Sequence, residues 1–387
     1  MRVALSNKNY PELGYVSISF PILDKDYDAC IEALERLGIG DVRFHDCYVA
    51  DYQSGPPSLA FLKGTLVNVD ELDFLARSLD RYTDEEMAQF QCMVATRENW
   101  DMDTLINLSF NCDGVTVITN FSHLEAVGRR HFLNIKGFAS SSEMDKLNGE
   151  AIARSMIADC EGIVTPYGVV YSNGLLIEPF YLGRSFPIYS DKEYLLQADY
   201  DTPLEGTVSI FLPQPEQRLS RLLERSGIRP EDKADIGPVT CDFPDPLMDR
   251  VVQHPENIFE INRLAATMEK LDEEQAKKYA AVVEYAQPEY PFQMRQLAEN
   301  LDLFDFIPGI KSAEDYGRYM IQESGYFEYD ENLDLYYDYE QYGVDHISQK
   351  TGQFTKMGYV AYRGMLSLDE LMMEEPTEQS SEIQMMW

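Results

Sequence analysis

Residues 162–174 read GIVTPYGVVYSNG, and residues 352–364 read GQFTKMGYVAYRG. The stretches share their glycines, the threonines Thr165 and Thr355, and the valines Val170 and Val360. Each reads as a short β-hairpin, with β-branched and aromatic residues around a central glycine. Two such hairpins in opposite halves of the chain prompt a search for other recurrences at a similar offset. Val16, Ser17, Ile18 and Pro21 recur as Val208, Ser209, Ile210 and Pro213. Leu34-Glu35-Arg36 with Gly38-Ile39 recurs as Leu223-Glu224-Arg225 with Gly227-Ile228. At the offset of that second pair, Asn68, Glu71, Leu75 and Ala76 match Asn257, Glu260, Leu264 and Ala265, and Gly128-Arg129 matches Gly317-Arg318. These offsets predict two tandem copies of one module, residues 1–190 and 191–365, followed by an acidic flexible tail, 366–387.

The local grammar of the first copy alternates strands and helices. YVSISF at 15–20 alternates as a strand and is stopped by Pro21. A helical face over 26–37 ends at Gly38, and a Ser-, Gly- and Pro-rich loop occupies 53–58. Leu72, Leu75, Ala76 and Leu79 make a core-facing helical stripe. Thr83 with Glu86, and Ser122 with Glu125, have capping-box spacing, predicting helices through Val94 and about Leu133. A strand is expected at Val115–Ile118 and a further helix near 149–158. In the second copy Asp272 and Gln275 stand where Thr83 and Glu86 stand in the first. The expected class is α+β, each module having small β-containing subdomains and a central helical part.

The 387 residues carry 32 Lys+Arg against 67 Asp+Glu, a net charge of −35. Such a surface opposes direct nucleic-acid binding and anionic membranes, and suits a partner with a basic groove. The halves share the charge unequally, −12 over residues 1–190 and −23 over 191–387. The densest run is 312–345, SAEDYGRYMIQESGYFEYDENLDLYYDYEQYGVD, with ten carboxylates, eight tyrosines and Arg318 as its single Lys or Arg. Acidic runs that stay disordered are poor in aromatics; this one has enough ring surface to fold. Its tyrosines are expected to be core and interface residues rather than mimics of bases.

No 18-residue apolar run or signal-peptide core is visible, so a cytoplasmic protein is expected. Cys30, Cys47, Cys92, Cys112, Cys160 and Cys241 lack paired spacing and read as reduced thiols, many of them buried. The five histidines form no HxxxH pair, and His45 beside Cys47 reads as ordinary packing. No metal and no cofactor is expected. No nucleophile-centred motif is present, and no carboxylate pair stands out among the many, so no catalytic residue is assigned. Gly128 and Gly317 read as close helix packing, and Arg129 and Arg318 as partners for the module's own acids.

The second copy has a wider resemblance. EINRLAATMEKLDEEQAKKYAAVVE, AEDYGRYMIQESGYFEYDE and YYDYEQYGVDHISQKTGQFTKMGYVAY, in that order, resemble the ArdA antirestriction proteins over 257–362, and VSIFLP at 208–213 resembles their opening strand more loosely. The resemblance implies an elongated, non-enzymatic DNA mimic whose carboxylates imitate phosphates. It implies a target among type I restriction–modification enzymes and a role in protecting incoming mobile DNA. The expected mimic surface is Asp302, Asp305, Glu314, Asp315, Glu323, Glu328, Asp330, Glu331, Asp334, Asp338, Glu340 and Asp345. Members are usually homodimers of a module half this length. The tandem form therefore suggests a pseudo-dimer within one chain, with a further homodimer open. A CRISPR effector, whose DNA channel is also basic, and an acidic scaffold role in a mobile element remain as alternatives.

Overall fold

The computed structural model describes residues 1–98, 100–188, 194–203, 205–239, 257–347 and 352–373. The acidic tail beyond 373 and Cys241 lie outside the described residues. The fold is α+β and divides into two compact units. The first takes residues 1–188 with the segment Gln217–Gly227; the second takes the described residues of 194–216 and 228–373. No helix among the described residues is long and apolar enough to cross a membrane.

The first unit opens with strands β1 (Arg2–Asn7) and β2 (Tyr15–Ser19), then helix α1 (Asp24–Arg36), β3 (Cys47–Ser54) and β4 (Leu66–Val67). They form an antiparallel sheet of order β2-β1-β3-β4, with Val3 opposite Ile18 and Leu5 opposite Val16. Three helices follow: α2 (Val69–Asp80), α3 (Asp84–Ala95) and α4 (Met102–Ser109). The Leu72, Leu75, Ala76, Leu79 stripe is buried, joining Val3, Leu5, Ile18 and Leu34 in one core. Thr83 and Glu86 form the expected capping box. Next come β5 (Val115–Ile118), α5 (Leu124–Lys136), α6 (Ser141–Lys146), α7 (Gly149–Asp159), β6 (Ile163–Thr165) and β7 (Gly168–Ser172). The expected hairpin is β6–β7, and its sheet runs β5-β7-β6. The Ser122–Glu125 box does not form. Asn120 instead accepts from the Ser122 amide, while Glu125 pairs with Arg129 at 2.7 Å and accepts from the Glu150 amide at 2.8 Å.

Helix α8 (Glu216–Ser226) completes this unit through Arg218, Arg221 and Arg225, which share one face. Arg221 grips Asp70 through two hydrogen bonds of 2.9 and 2.8 Å. Arg225, 4% exposed, pairs with Glu71 and donates to the Val42 carbonyl at 2.7 Å. Arg218 pairs with Asp24 and lies 4.2 Å over the Tyr27 ring. Removing one partner of such a buried pair typically costs about 3–5 kcal/mol, because a desolvated charge is left behind.

The second unit has β8 (Leu196–Thr202), β9 (Gly206–Leu212) and β10 (Asp235–Pro238) in the order β10-β8-β9. Then come α9 (Ile258–Met268), α10 (Glu273–Ala286), α11 (Pro291–Glu299), β11 (Phe304–Pro308), α12 (Ala313–Gln322), α13 (Tyr339–Ile347), β12 (Gln353–Phe354) and β13 (Gly358–Tyr362), with a short α14 (Leu368–Leu371) at the end. The last sheet runs β11-β13-β12, matching β5-β7-β6 strand for strand. Helices α9, α10, α11 and α12 follow α2, α3, α4 and α5 at one constant offset between their first residues. One small clamp recurs as well, its acceptor at that offset and its donor three residues beyond it. Asp73 of α2 accepts the Ile22 amide at 2.6 Å, and Asn262 of α9 accepts the Gln214 amide at 2.8 Å. Each holds the chain just after its unit's hairpin strands, β1–β2 or β8–β9, to the helix that carries it.

The five described cysteines are free: Cys47 and Cys92 buried, Cys30 and Cys112 half-buried, Cys160 exposed. Among the described residues no group of three or more His, Cys, Asp or Glu could hold a metal. His45 is exposed, and its Nε2 lies 2.7 Å from the buried Glu71 carboxylate.

That contact sets a pH dependence. The hydrogen bond to Glu71 raises the His45 pKa, whereas burial lowers that of His131 against the opposing pull of Asn173. An unperturbed histidine titrates near about 6.5. The His45–Glu71 contribution to unit stability is therefore complete below about pH 6.5 and is lost as pH rises through the folded value. NMR titration should place His45 above that reference and His131 below it, and Glu71→Gln should bring the His45 midpoint down. Coincident midpoints for the two histidines would contradict this.

Candidate protein-docking surface

The second unit's carboxylates are mounted on a helix crossing. Ser312 caps α12, its Oγ accepting the Asp315 amide at 3.1 Å, and Glu314 and Asp315 occupy the first turn where the helix dipole favours anions. Tyr316, Gly317, Met320 and Ile321 form its buried face. A Cβ on Gly317 would stand 1.9 Å from the Tyr339 carbonyl oxygen, and one on Gly343 would stand 1.9 Å from that of Ala313. The crossing of α12 and α13 is thus backbone against backbone, and glycine is required on both helices. The first unit has the same device: a Cβ on Gly128 of α5 would meet the Gly149 carbonyl oxygen of α7 at 1.8 Å.

Between these helices the chain is tied to one acceptor. Asp334 Oδ1 accepts from the hydroxyls of Tyr329 at 2.8 Å and Tyr339 at 2.5 Å, and from Gln322 Nε2 at 2.9 Å. Those bonds, the Tyr339 one foremost, hold the Asp334 carboxyl below the usual carboxylate range. Arg318 pairs with Glu314 at 3.1 Å and lies 4.5 Å over the Tyr339 ring. It serves its own unit, as Arg129 does through Glu125 and the Met144 carbonyl.

The twelve expected surface carboxylates are all on this frame or just before it. Asp302, Glu314, Asp315, Glu323, Glu328, Asp330, Glu331, Asp338, Glu340 and Asp345 are exposed; Asp305 and Asp334 are half-buried. Asp305 pairs with Arg363 at 2.9 Å, and Asp334 is the internal acceptor just described. Asp315, Asp330 and Asp338 take backbone amides near helix starts at 3.3, 2.9 and 3.0 Å. Asp345 accepts from Gln341 at 2.9 Å. Among the described residues Glu323, Glu328, Glu331 and Glu340 have no basic side chain within salt-bridge reach. Against the twelve acids, residues 301–347 contain two cations, Lys311 and Arg318.

The tyrosines divide. Tyr316 and Tyr339 are core, but Tyr326 and Tyr336 are 78% and 84% exposed, with Leu335 at 94%. Composition does not separate these exposed rings and this leucine from the core ones. Their signal is position: Tyr326 follows Gly325, which has φ 72°, and the pair Leu335-Tyr336 ends a 3-10 turn.

Residues 210–361 match the family model of the antirestriction protein ArdA. That ArdA match contains all twelve carboxylates and both helices of the crossing. No curated protein matches the chain.

The crossing and the Asp334 hub can be checked separately. Gly343→Ala should destabilise the second unit by about 2–3 kcal/mol or more, since backbone must move to admit the methyl. Gly114→Ala, where a Cβ meets nothing within 4 Å, should stay within about 0.5 kcal/mol. Equal effects by chemical denaturation would contradict the crossing. Asp334→Asn should speed amide exchange across 323–338, and an unchanged rate would remove the hub.

Proposed function

We propose that this protein inhibits a DNA-binding defence enzyme, a type I restriction–modification complex, by occupying its DNA groove with the second unit's carboxylates. The observation that carries this is the folded imbalance over 301–347, twelve acids against two cations, inside the antirestriction match. B-DNA presents one phosphate charge per about 1.7 Å of axis, and a groove built for it is lined with Lys and Arg. Acids at i and i+4 on a helix stand about 5–6 Å apart, close to phosphate spacing on one strand. Carboxylates held by helix caps offer that charge without a disordered chain to be ordered on binding.

The repeated order of elements supports reading the chain as two copies of one module, residues 1–190 and 191–365, a pseudo-dimer within one polypeptide. The second copy, with a net charge of −17 over 191–365 against −12 over 1–190, supplies the inhibitory surface. No chemistry is needed for this role: blocking the groove is sufficient, with no cofactor and no metal. Direct contact with nucleic acid is disfavoured by like charge. The site of action is the cytoplasm, where incoming mobile DNA meets restriction.

The test is the affinity for a purified type I complex between about 50 and 300 mM salt, where screening tightens from roughly 14 to 6 Å. Affinity should fall at least tenfold over that range. The combined Glu323→Gln, Glu328→Gln, Glu331→Gln, Glu340→Gln variant should bind more weakly and with a shallower salt dependence, each charge being worth about 1 kcal/mol or more in a desolvated groove. Asp334 is left intact so that the frame survives. An affinity flat in salt, or a neutralised variant as tight as wild type, would overturn the proposal.

A further inference from the structure

The loop between α12 and α13 exposes more than charge. Tyr326, Leu335 and Tyr336 are 78%, 94% and 84% exposed, and Phe327 is 51% exposed. The loop is not slack. Phe327 meets Tyr342 edge-on at 5.8 Å, Tyr329 lies against Tyr337 at 5.9 Å, and Asp334 ties Tyr329 and Tyr339 together. Large apolar side chains are thus held in water on an ordered frame, with Glu323, Glu328, Asp330 and Glu331 interspersed in the same loop. A surface that only solubilised the chain would have acids here and no need of the rings and leucine.

The surrounding charge selects the occupant. A second copy of this chain would bring the same carboxylates face to face, and an anionic membrane would be repelled likewise. The complementary surface must be cationic and apolar together. Nucleic-acid grooves have that composition: Lys and Arg meet phosphates, while apolar and aromatic groups meet the bases. Tyrosine rings also accept guanidinium faces, as Arg318 over Tyr339 shows within this unit.

We propose that Tyr326, Leu335 and Tyr336 fill the base-contacting part of the target's DNA groove, beside the phosphate-contacting part taken by the carboxylates. This rests on the proposed inhibition of a DNA-binding enzyme and adds a salt-independent component to it. Phosphate-like contacts give affinity that collapses with salt; ring and leucine burial gives affinity that does not. The two components are therefore separable in one experiment.

The experiment compares wild type, the triple variant Tyr326→Ser, Leu335→Ser, Tyr336→Ser, and the four-glutamine variant described above. Each displaces a fluorescent duplex carrying the recognition site from a purified type I complex at several salt concentrations. The triple variant should lose about thirtyfold or more in affinity, by the same factor at every salt concentration, its salt slope unchanged, consistent with about 2 kcal/mol for a few buried aromatic contacts. The four-glutamine variant should flatten the slope. Circular dichroism should show both folded, since the replaced side chains are exposed. A triple variant that binds like wild type while the four-glutamine variant fails would overturn the apolar contact and leave the electrostatic reading standing. Wild type failing to displace the duplex at any salt concentration would overturn both. Sedimentation supplies a further check: a wild-type dimer that the triple variant converts to monomer would assign the strip to contact between copies and overturn the proposal.

Discussion

The second unit's surface depends on two helices touching through their backbones. Gly317 and Gly343 let α12 and α13 approach until each glycine faces a carbonyl oxygen of the other helix. A close crossing leaves no room for side chains between the helices, so the residues around it turn outward or into the adjoining sheet. Tyr316, buried beside Gly317, packs 4.7 Å from Tyr359 of β13, coupling the pair to the last sheet. The acids at the starts of both helices are fixed by that geometry, and Asp334 fixes the loop between. Repulsion among so many carboxylates opposes compaction. Their placement in caps and first turns offsets part of this, because helix starts are where negative charge is favoured.

Much of the fold is legible in the sequence because its local signals recur at a nearly constant offset. The glycines at 128 and 317, the capping boxes at Thr83 and Asp272, and the hairpins at 162 and 352 each mark a local backbone requirement that few residue types satisfy. Requirements of that kind survive in the letters. The arginine face of α8 is less legible. Arg218, Arg221 and Arg225 have plain helical spacing, but what they bind, Asp24, Asp70 and Glu71, lies far earlier, on α1 and α2. Nothing local connects a cation to a carboxylate so distant in the chain. The Ser122–Glu125 box fails for a related reason. Glu125 has better use beside Arg129 and the Glu150 amide, supplied by a helix that crosses later in the chain.

Of the surface, the sequence supplies the acids but not what engages each of them. Two of the twelve, Asp305 and Asp334, are half-buried and engaged by Arg363 and by the tyrosine hydroxyls. Composition counts charge but does not say whether a carboxylate faces water or its own fold. The same blindness hides Tyr326 and Tyr336, since a tyrosine suits a core and an interface equally. What separates the two outcomes is the crossing, which buries Tyr339 beside Gly317 and leaves the loop rings outside.

The central claim is that this protein and DNA need the same groove. The most direct measurement is a search for a ternary complex: a type I complex with a duplex in one colour and this protein in another, followed by two-colour single-particle colocalisation. The account predicts that the two labels never share an enzyme groove, and that each displaces the other as its concentration rises. Enzyme particles carrying both labels while nuclease activity is suppressed would contradict it.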